Sequence, residues 1–190
     1  MDARRRGRLV VISAPSGAGK TSIARGVLSR NPGMRFSVSA TTRPIRTGEV
    51  DGKDYFFLSK EEFRRRIAAG EFAEWEEIYG DLYGTLRSEI DRALAGEEDL
   101  LFDVDVKGGL SIKRIYPEAV LVFIEPPSEE VLLERLRNRR TEDAATLARR
   151  MARVPMELAL GKQFDHRVVN DVLERAIEEV NGIIQHAITH

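Results

Sequence analysis

The chain has 190 residues, of which 30 are Lys or Arg and 31 are Asp or Glu, for a formal net charge of −1. With 42% hydrophobic and 32% charged residues it has the composition and length of one globular domain that buries its own core. The near-neutral balance argues against a polyanion binder that works by bulk charge, and the absence of cysteine excludes disulfides, thiolate metal sites and thiol catalysis.

Apolar runs are short, such as residues 9–12 and 119–124. Neither approaches the roughly 18–20 residues that a membrane span requires. The basic start MDARRRGR has no apolar stretch of signal-peptide type behind it. The expectation is a cytoplasmic protein with no membrane or nucleic-acid partner. Arg outnumbers Lys 24 to 6, and Arg is the side chain suited to bidentate phosphate contacts.

In chain order, residues 8–13 (RLVVIS) read as a buried strand, followed by a Gly-rich turn and a helix over 20–30. Residues 39–83, rich in Gly, Thr, Asp and aromatics, interrupt this pattern with strand-like YFFL at 55–58 and FAEWEEIY at 72–79. Between those runs, Ser59 and Glu62 form a capping box that opens a helix to about residue 69. Residues 100–105 and 119–124 are further strand-length runs, each followed by a helical pattern. Residues 135–153 hold seven Arg and two acids, a local charge of +5. Residues 167–170 read as a last short strand, and Asp171 with Glu174 as the cap of a helix over 171–187. Strands that alternate with helices predict an α/β fold, with a mainly parallel sheet covered on both faces. The expected division is a core of 1–38, 84–134 and 158–190, a small α+β insertion at 39–83 and an Arg-rich helical lid at 135–157.

Residues 13–21 read SAPSGAGKT between the first strand and the first helix. This is the P-loop pattern with Ala14 in place of its first Gly. Ala14, Pro15, Ser16, Gly17, Ala18, Gly19, Lys20 and Thr21 are therefore candidate ligands of a nucleoside triphosphate. Gly17 and Gly19 let the backbone curl so that its N–H groups face phosphate, and the helix N-terminus adds its positive end. Lys20 is expected on the β- and γ-phosphates and the Thr21 hydroxyl on Mg²⁺. Asp103 and Asp105 end an apolar run, and a strand period of two puts them on one face near the loop. One would hold Mg²⁺ through water and the other would touch substrate. The ordinary alternative is that these strand-end acids cap the next helix.

The run from Ser39, SATTRPIRTGEVDGKDY, carries a resemblance that a P-loop alone does not. Together with SAPSGAGKT, GEFAEWEEIYGDLYGT, LLFDVDVKGG, FIEPPS, the Arg-rich segment and VVND, it resembles the guanylate kinases over nearly the whole chain. The resemblance implies a P-loop NTPase-type fold and the reaction ATP + GMP = ADP + GDP with Mg²⁺. It places Arg43, Arg46, Tyr55 and Tyr83 on the GMP phosphate, and Ser39, Glu74, Thr85 and Asp105 around guanine. Chemistry agrees, since a carboxylate such as Glu74 accepts from both N1–H and the 2-amino group, which adenine does not present together. Hydroxyls of Ser39 and Thr85 can donate to O6. The resemblance makes the Arg-rich segment a lid over ATP, with Arg135, Arg139 and Arg150 as catalytic arginines alongside Lys20 and Arg43. Arg137 is a further member, and Arg140 stands where the family usually has Gly.

Asn170 and Asp171 match the motif near the adenine pocket, or simply cap the last helix. Trp75 is expected to pack. His186 and His190 have metal-ligand spacing but no third ligand nearby, and His166 reads as a loop residue. Two other classes of protein compete. A sugar-phosphate kinase would share the loop and sheet without a guanine-reading set, and related scaffolding modules lack a working phosphate loop.

Overall fold

The computed structural model describes residues 7–78, 80–137 and 144–187. Its elements are β1 (Leu9–Ser13), α1 (Lys20–Arg30), β2 (Met34–Phe36), β3 (Ala40–Thr41), β4 (Phe56–Phe57), α2 (Lys60–Ala68), β5 (Phe72–Ile78) and β6 (Asp81–Leu86). They continue with α3 (Arg87–Ala95), β7 (Asp99–Asp103), α4 (Val106–Ile115), β8 (Val120–Glu125), α5 (Glu129–Arg137), α6 (Ala144–Gly161), β9 (His166–Val169) and α7 (Leu173–His186).

Five strands form a parallel sheet in the order β2-β7-β1-β8-β9. Its central strands are buried on both faces, which explains why they read as unbroken apolar runs. In β1, Val10 and Ile12 join one core with Ile23, Ala24 and Val27 of α1 and Ile177 and Val180 of α7. Leu9 and Val11 join the opposite core with Ile90 of α3 and Ile112 of α4. Each buried Val, Leu or Ile among these contributes roughly 1.5–3 kcal/mol.

The insertion builds its own mixed sheet, β4-β3-β6-β5, over a third core in which Phe63 and Phe72 stack at 4.3 Å. Phe63→Ala would open a cavity there and cost about 3–5 kcal/mol. Strand β6 runs to Leu86, past the expected boundary at 83. Helix α6 continues through Pro155 to Gly161, past the expected lid end at 157, and Gly161 lies so close to the Phe123 ring that a Cβ would meet it at 2.4 Å.

Two capping expectations differ from the structure. Ser59 Oγ accepts the Glu62 N–H at 3.1 Å, as half of a capping box, but the Glu62 carboxylate turns to Arg65 and Arg66. At α7 the box fails altogether. Its N-cap is Val172, Glu174 is drawn off by Arg30, and Asp171 accepts from the Val172 N–H and from Arg175. Both failures have one cause: a nearby guanidinium offers a carboxylate more than a main-chain N–H does.

Candidate active site

Parallel strand order places the end of β7 beside the end of β1, with Ile12 opposite Asp103, so the phosphate loop and this acid meet at the carboxyl edge of the sheet. Gly17 and Gly19 take φ of 90° and 94°, the left-handed region that the loop's curl demands. Ala14 has no such conformation and is buried against the core, so its methyl group is accommodated. The loop frames a hollow of about 150 Å³ lined by Ala14, Pro15, Ser16, Gly17, Gly19, Lys20 and Thr21. Ala18 lies behind it, fully buried, its N–H donating to the Pro15 carbonyl at 3.1 Å.

Lys20 lies at the mouth of the hollow, ion-paired with Asp103 and 3.4 Å from the Val104 carbonyl. Thr21 Oγ1 donates to the other oxygen of Asp103 at 3.3 Å. A hydroxyl and a carboxylate at this separation suit a hard divalent cation. Among the described residues no group of three or more acids or histidines forms a ready metal cage.

Asp105 does not share a strand face with Asp103. Strand β7 stops at Asp103, and Asp105 is the N-cap of α4, its Oδ1 accepting the Gly108 N–H at 2.7 Å. The capping alternative therefore holds for Asp105. Asp103 faces the phosphate loop, while the second oxygen of Asp105 faces Arg153, 3.3 Å away.

Beside the loop lies a cleft of about 620 Å³ whose lining includes Lys20, Thr21, Ser39, Glu49, Tyr55 and Asp103. Arg43 reaches Glu49 bidentately, at 2.9 and 2.8 Å, and its guanidinium stands 5.2 Å from the Tyr55 ring. Tyr55 in turn meets the Tyr83 ring edge-on at 6.3 Å. The hydrogen bonds from Arg43 hold the Glu49 carboxyl down at about 2, and Glu49 keeps Arg43 firmly charged. Burial pushes the Tyr55 phenol up, so it remains a donor. The Arg46 side chain is exposed, while its N–H donates to Glu49 at 2.8 Å. Glu49 was not singled out by sequence reasoning; its signal is the short spacing to Arg43 inside a single loop.

Across the small sheet, Thr85 donates its hydroxyl to Glu74 at 2.6 Å and so supports that carboxyl. Burial pushes the Glu74 carboxyl up to about 7, opposed by the Thr85 hydrogen bond. A Cβ on Gly108 would meet Glu74 at 2.9 Å and Asp105 at 3.0 Å, so a glycine is what lets both carboxyls approach α4. Glu76, two residues on from Glu74, is also raised to about 7, first by burial and then by the neighbouring Asp105 carboxyl. Trp75 points to the outer face and is 49% exposed, contrary to the expected packing role.

From the Arg-rich segment, Arg150 donates to Ser16 Oγ of the phosphate loop at 2.9 Å. Arg135 donates to the Asn170 carbonyl at 3.1 Å, and Arg137 is exposed. Arg139 and Arg140 lie outside the described residues, as does His190. Asn170 does not cap α7; its side chain is buried and donates to the Ala18 carbonyl. Arg153, absent from the expected set, pairs with Glu76 at 2.9 Å.

The family model described as guanylate kinase matches residues 6–187. The guanylate kinase of Symbiobacterium thermophilum is 48% identical over 184 residues, covering 97% of this chain and 87% of that protein. That of Chlorobium luteolum is 52% identical over 180 residues, covering 94% and 91%. The crystal structure of guanylate kinase from Anaplasma phagocytophilum superposes with a TM-score of 0.77 at 29% identity, covering 98% of this chain and 89% of that one.

Proposed function

The chain belongs to the guanylate kinase family, enzymes that phosphorylate GMP to GDP with ATP, and we propose that its two phosphate-handling devices face one another across a single reaction cleft. The observation that carries this reading is the shared lining: Lys20 and Thr21 of the phosphate loop and Glu49 and Tyr55 of the acceptor side border the same 620 Å³.

In this reading the loop from Ala14 to Thr21 cradles the triphosphate, with Asn170 holding its shape from behind. Lys20 leaves Asp103 for the β- and γ-phosphates. Thr21 and Asp103 would hold Mg²⁺, which when bound neutralises charge on those phosphates. Arg43, Arg46, Tyr55 and Tyr83 grip the GMP phosphate, Arg43 trading part of its bond to Glu49 for that dianion. Glu74 and Asp105 take the N–H edge of guanine, and Ser39 and Thr85 flank O6 once Thr85 turns from Glu74. Adenine would leave these carboxyls unpaired, a mismatch that elsewhere discriminates by about 10⁴–10⁵.

The chemistry is one displacement. An oxygen of the GMP phosphate forms a bond to the γ-phosphorus, and the bond to the β–γ bridging oxygen breaks, leaving ADP. The attacking oxygen is already anionic near neutral pH, so no general base is needed. Arg135, Arg139 and Arg150 gather on the transferring group, whose charge spreads over its equatorial oxygens. The insertion and the Arg-rich segment close as lids, excluding water that would hydrolyse ATP. No helix among the described residues is long and apolar enough to cross a membrane, and we place the enzyme in the cytoplasm.

An ADP-release assay with Mg²⁺-ATP against GMP, AMP, CMP, UMP and no acceptor tests the reading. ADP is expected with GMP alone, and Lys20→Ala is expected to abolish it. Equal release with every acceptor, or none despite ATP binding, would overturn it.

A further inference from the structure

Arg150, Arg153 and Glu157 lie at i, i+3 and i+7 on one face of α6, and all three take part in contacts at the site. Arg150 meets Ser16 of the phosphate loop. Arg153 reaches Glu76 of β5 at 2.9 Å and Asp105 at the start of α4 at 3.3 Å, while its Nε stands 3.5 Å from Glu157. Three carboxylates from three elements thus share one guanidinium, and Glu157 is only 6% exposed. The pairing is not of the exposed kind that contributes little, because Arg153 is itself partly enclosed and spans two separate elements.

Asp105 is the member that matters for the base. One of its oxygens is committed to the Gly108 N–H, and its other oxygen faces Arg153. Arg153 Nη2 is the group that meets both carboxyls, Glu76 at 2.9 Å and Asp105 at 3.3 Å. Without the guanidinium, the second oxygen of Asp105 loses its donor and its counter-charge, and nothing holds that carboxyl toward β5, so it is free to swing away. Swinging Asp105 away undoes both the α4 cap and the edge offered to guanine.

We propose that Arg153 is a positioning residue for base recognition, holding Asp105 and Glu76 together so that docking of α6 on the phosphate loop and assembly of the guanine pocket occur as one event. This rests on the assignment of Asp105 and Glu74 to guanine made above. The coupling is reciprocal: a docked α6 favours GMP, and bound GMP favours the docked α6. Glu76 has no base to hold; its part is to give the Arg153 fork a second carboxylate on the insertion.

The test is steady-state kinetics on the wild type, Arg153→Ala, Glu76→Gln and the double variant, with thermal midpoints measured alongside. Arg153→Ala is expected to raise KM for GMP about tenfold, the loss of one charge-assisted hydrogen bond, while kcat and KM for ATP change less than about twofold. Adding Glu76→Gln to Arg153→Ala is expected to recover most of the lost GMP affinity, because the Gln amide can donate to Asp105 in place of the guanidinium. A residue that only supported the helix would lower the thermal midpoint and show no such rescue. If Arg153→Ala is thermally weakened, calorimetric GMP binding well below its midpoint reads the same quantity. A KM for GMP within twofold of the wild type, or a double variant no better than Arg153→Ala, would overturn the proposal. A wild type inactive on GMP would instead overturn the functional reading on which it rests.

Discussion

The Asn170 side chain donates to the Ala18 carbonyl at 2.8 Å, joining the end of β9 to the phosphate loop 152 residues earlier in the chain. The same residue donates its main-chain N–H to Glu125 at the end of β8 and accepts Arg135 of α5 at its carbonyl. A Cβ at position 19 would stand 2.3 Å from the Asn170 amide nitrogen. Loop, sheet edge and helix are thus pinned at one buried side chain.

Asn170→Ala is expected to leave the Ala18 carbonyl without its partner and cost about 1–3 kcal/mol of stability. Because the loop loosens, KM for ATP rises while KM for GMP holds. Asn170→Asp is expected to be worse, since it sets a carboxylate oxygen against a carbonyl. Thermal unfolding together with an ATP titration checks this, and an Asn170→Ala protein with native midpoint and ATP affinity would refute it.

The phosphate loop was legible because its backbone pattern is local, even though Asn170, which braces it, comes from 152 residues away. A strand, two glycines at left-handed φ and a helix N-terminus follow within about a dozen residues, so pattern and geometry coincide. Asp105 was misread because the strand period was carried two residues too far, across the turn into α4. Strand β4 falls inside the strand-like run at 55–58, whereas the two-residue β3 has no periodicity to read; it exists by pairing with β4 and with β6, far away in the chain. The Arg153–Glu76 pair is invisible for the same reason, its partners 77 residues apart. Glu174 illustrates the opposite error: a correct local motif whose acid is taken by Arg30, 144 residues away.

Glu49 holds Arg43 by both nitrogens and the Arg46 N–H by one oxygen, so it shapes the loop that would grip the acceptor phosphate. Glu49→Ala is expected to raise KM for GMP by at least about tenfold, through loss of that preorganisation, and to leave KM for ATP unchanged. If Glu49 instead only repelled the incoming dianion, the variant would bind GMP more tightly. GMP titration in the absence of ATP distinguishes the two outcomes.

Glu74 carries a pH signature. Its folded carboxyl is raised by burial to about 7 from an unfolded value of 4.5, so between those values the native state holds a proton that the unfolded state has released. Stability therefore falls as pH rises from about 4.5 to 7, by at most about 3 kcal/mol from this group. Glu76, raised to about the same value, adds to the same slope. Glu74→Gln is expected to flatten the fall in thermal midpoint between pH 5 and pH 7.5 relative to the wild type (a window chosen to bracket about one carboxyl's range). Parallel curves for the two proteins would remove Glu74 as its source.

Arg150 and Arg153, one turn apart on α6, are expected to fail in different ways. Arg150 reaches the phosphate loop through Ser16, where, in the proposed reading, a γ-phosphoryl group in transfer would gather charge. Arg150→Ala should therefore lower kcat by about 10³ or more while KM for GMP changes little. Lys at this position should recover little of the rate, since a single ammonium does not reproduce a planar fork on equatorial oxygens. Ser16→Ala removes the docking contact but keeps the loop's N–H groups, so its loss in kcat should be far smaller. A kcat for Arg150→Ala within about tenfold of wild type would mean that the helix merely rests on the loop. Paired with the Arg153 variants, the comparison separates two roles on one helix face: Arg150 is read in kcat and Arg153 in KM for GMP.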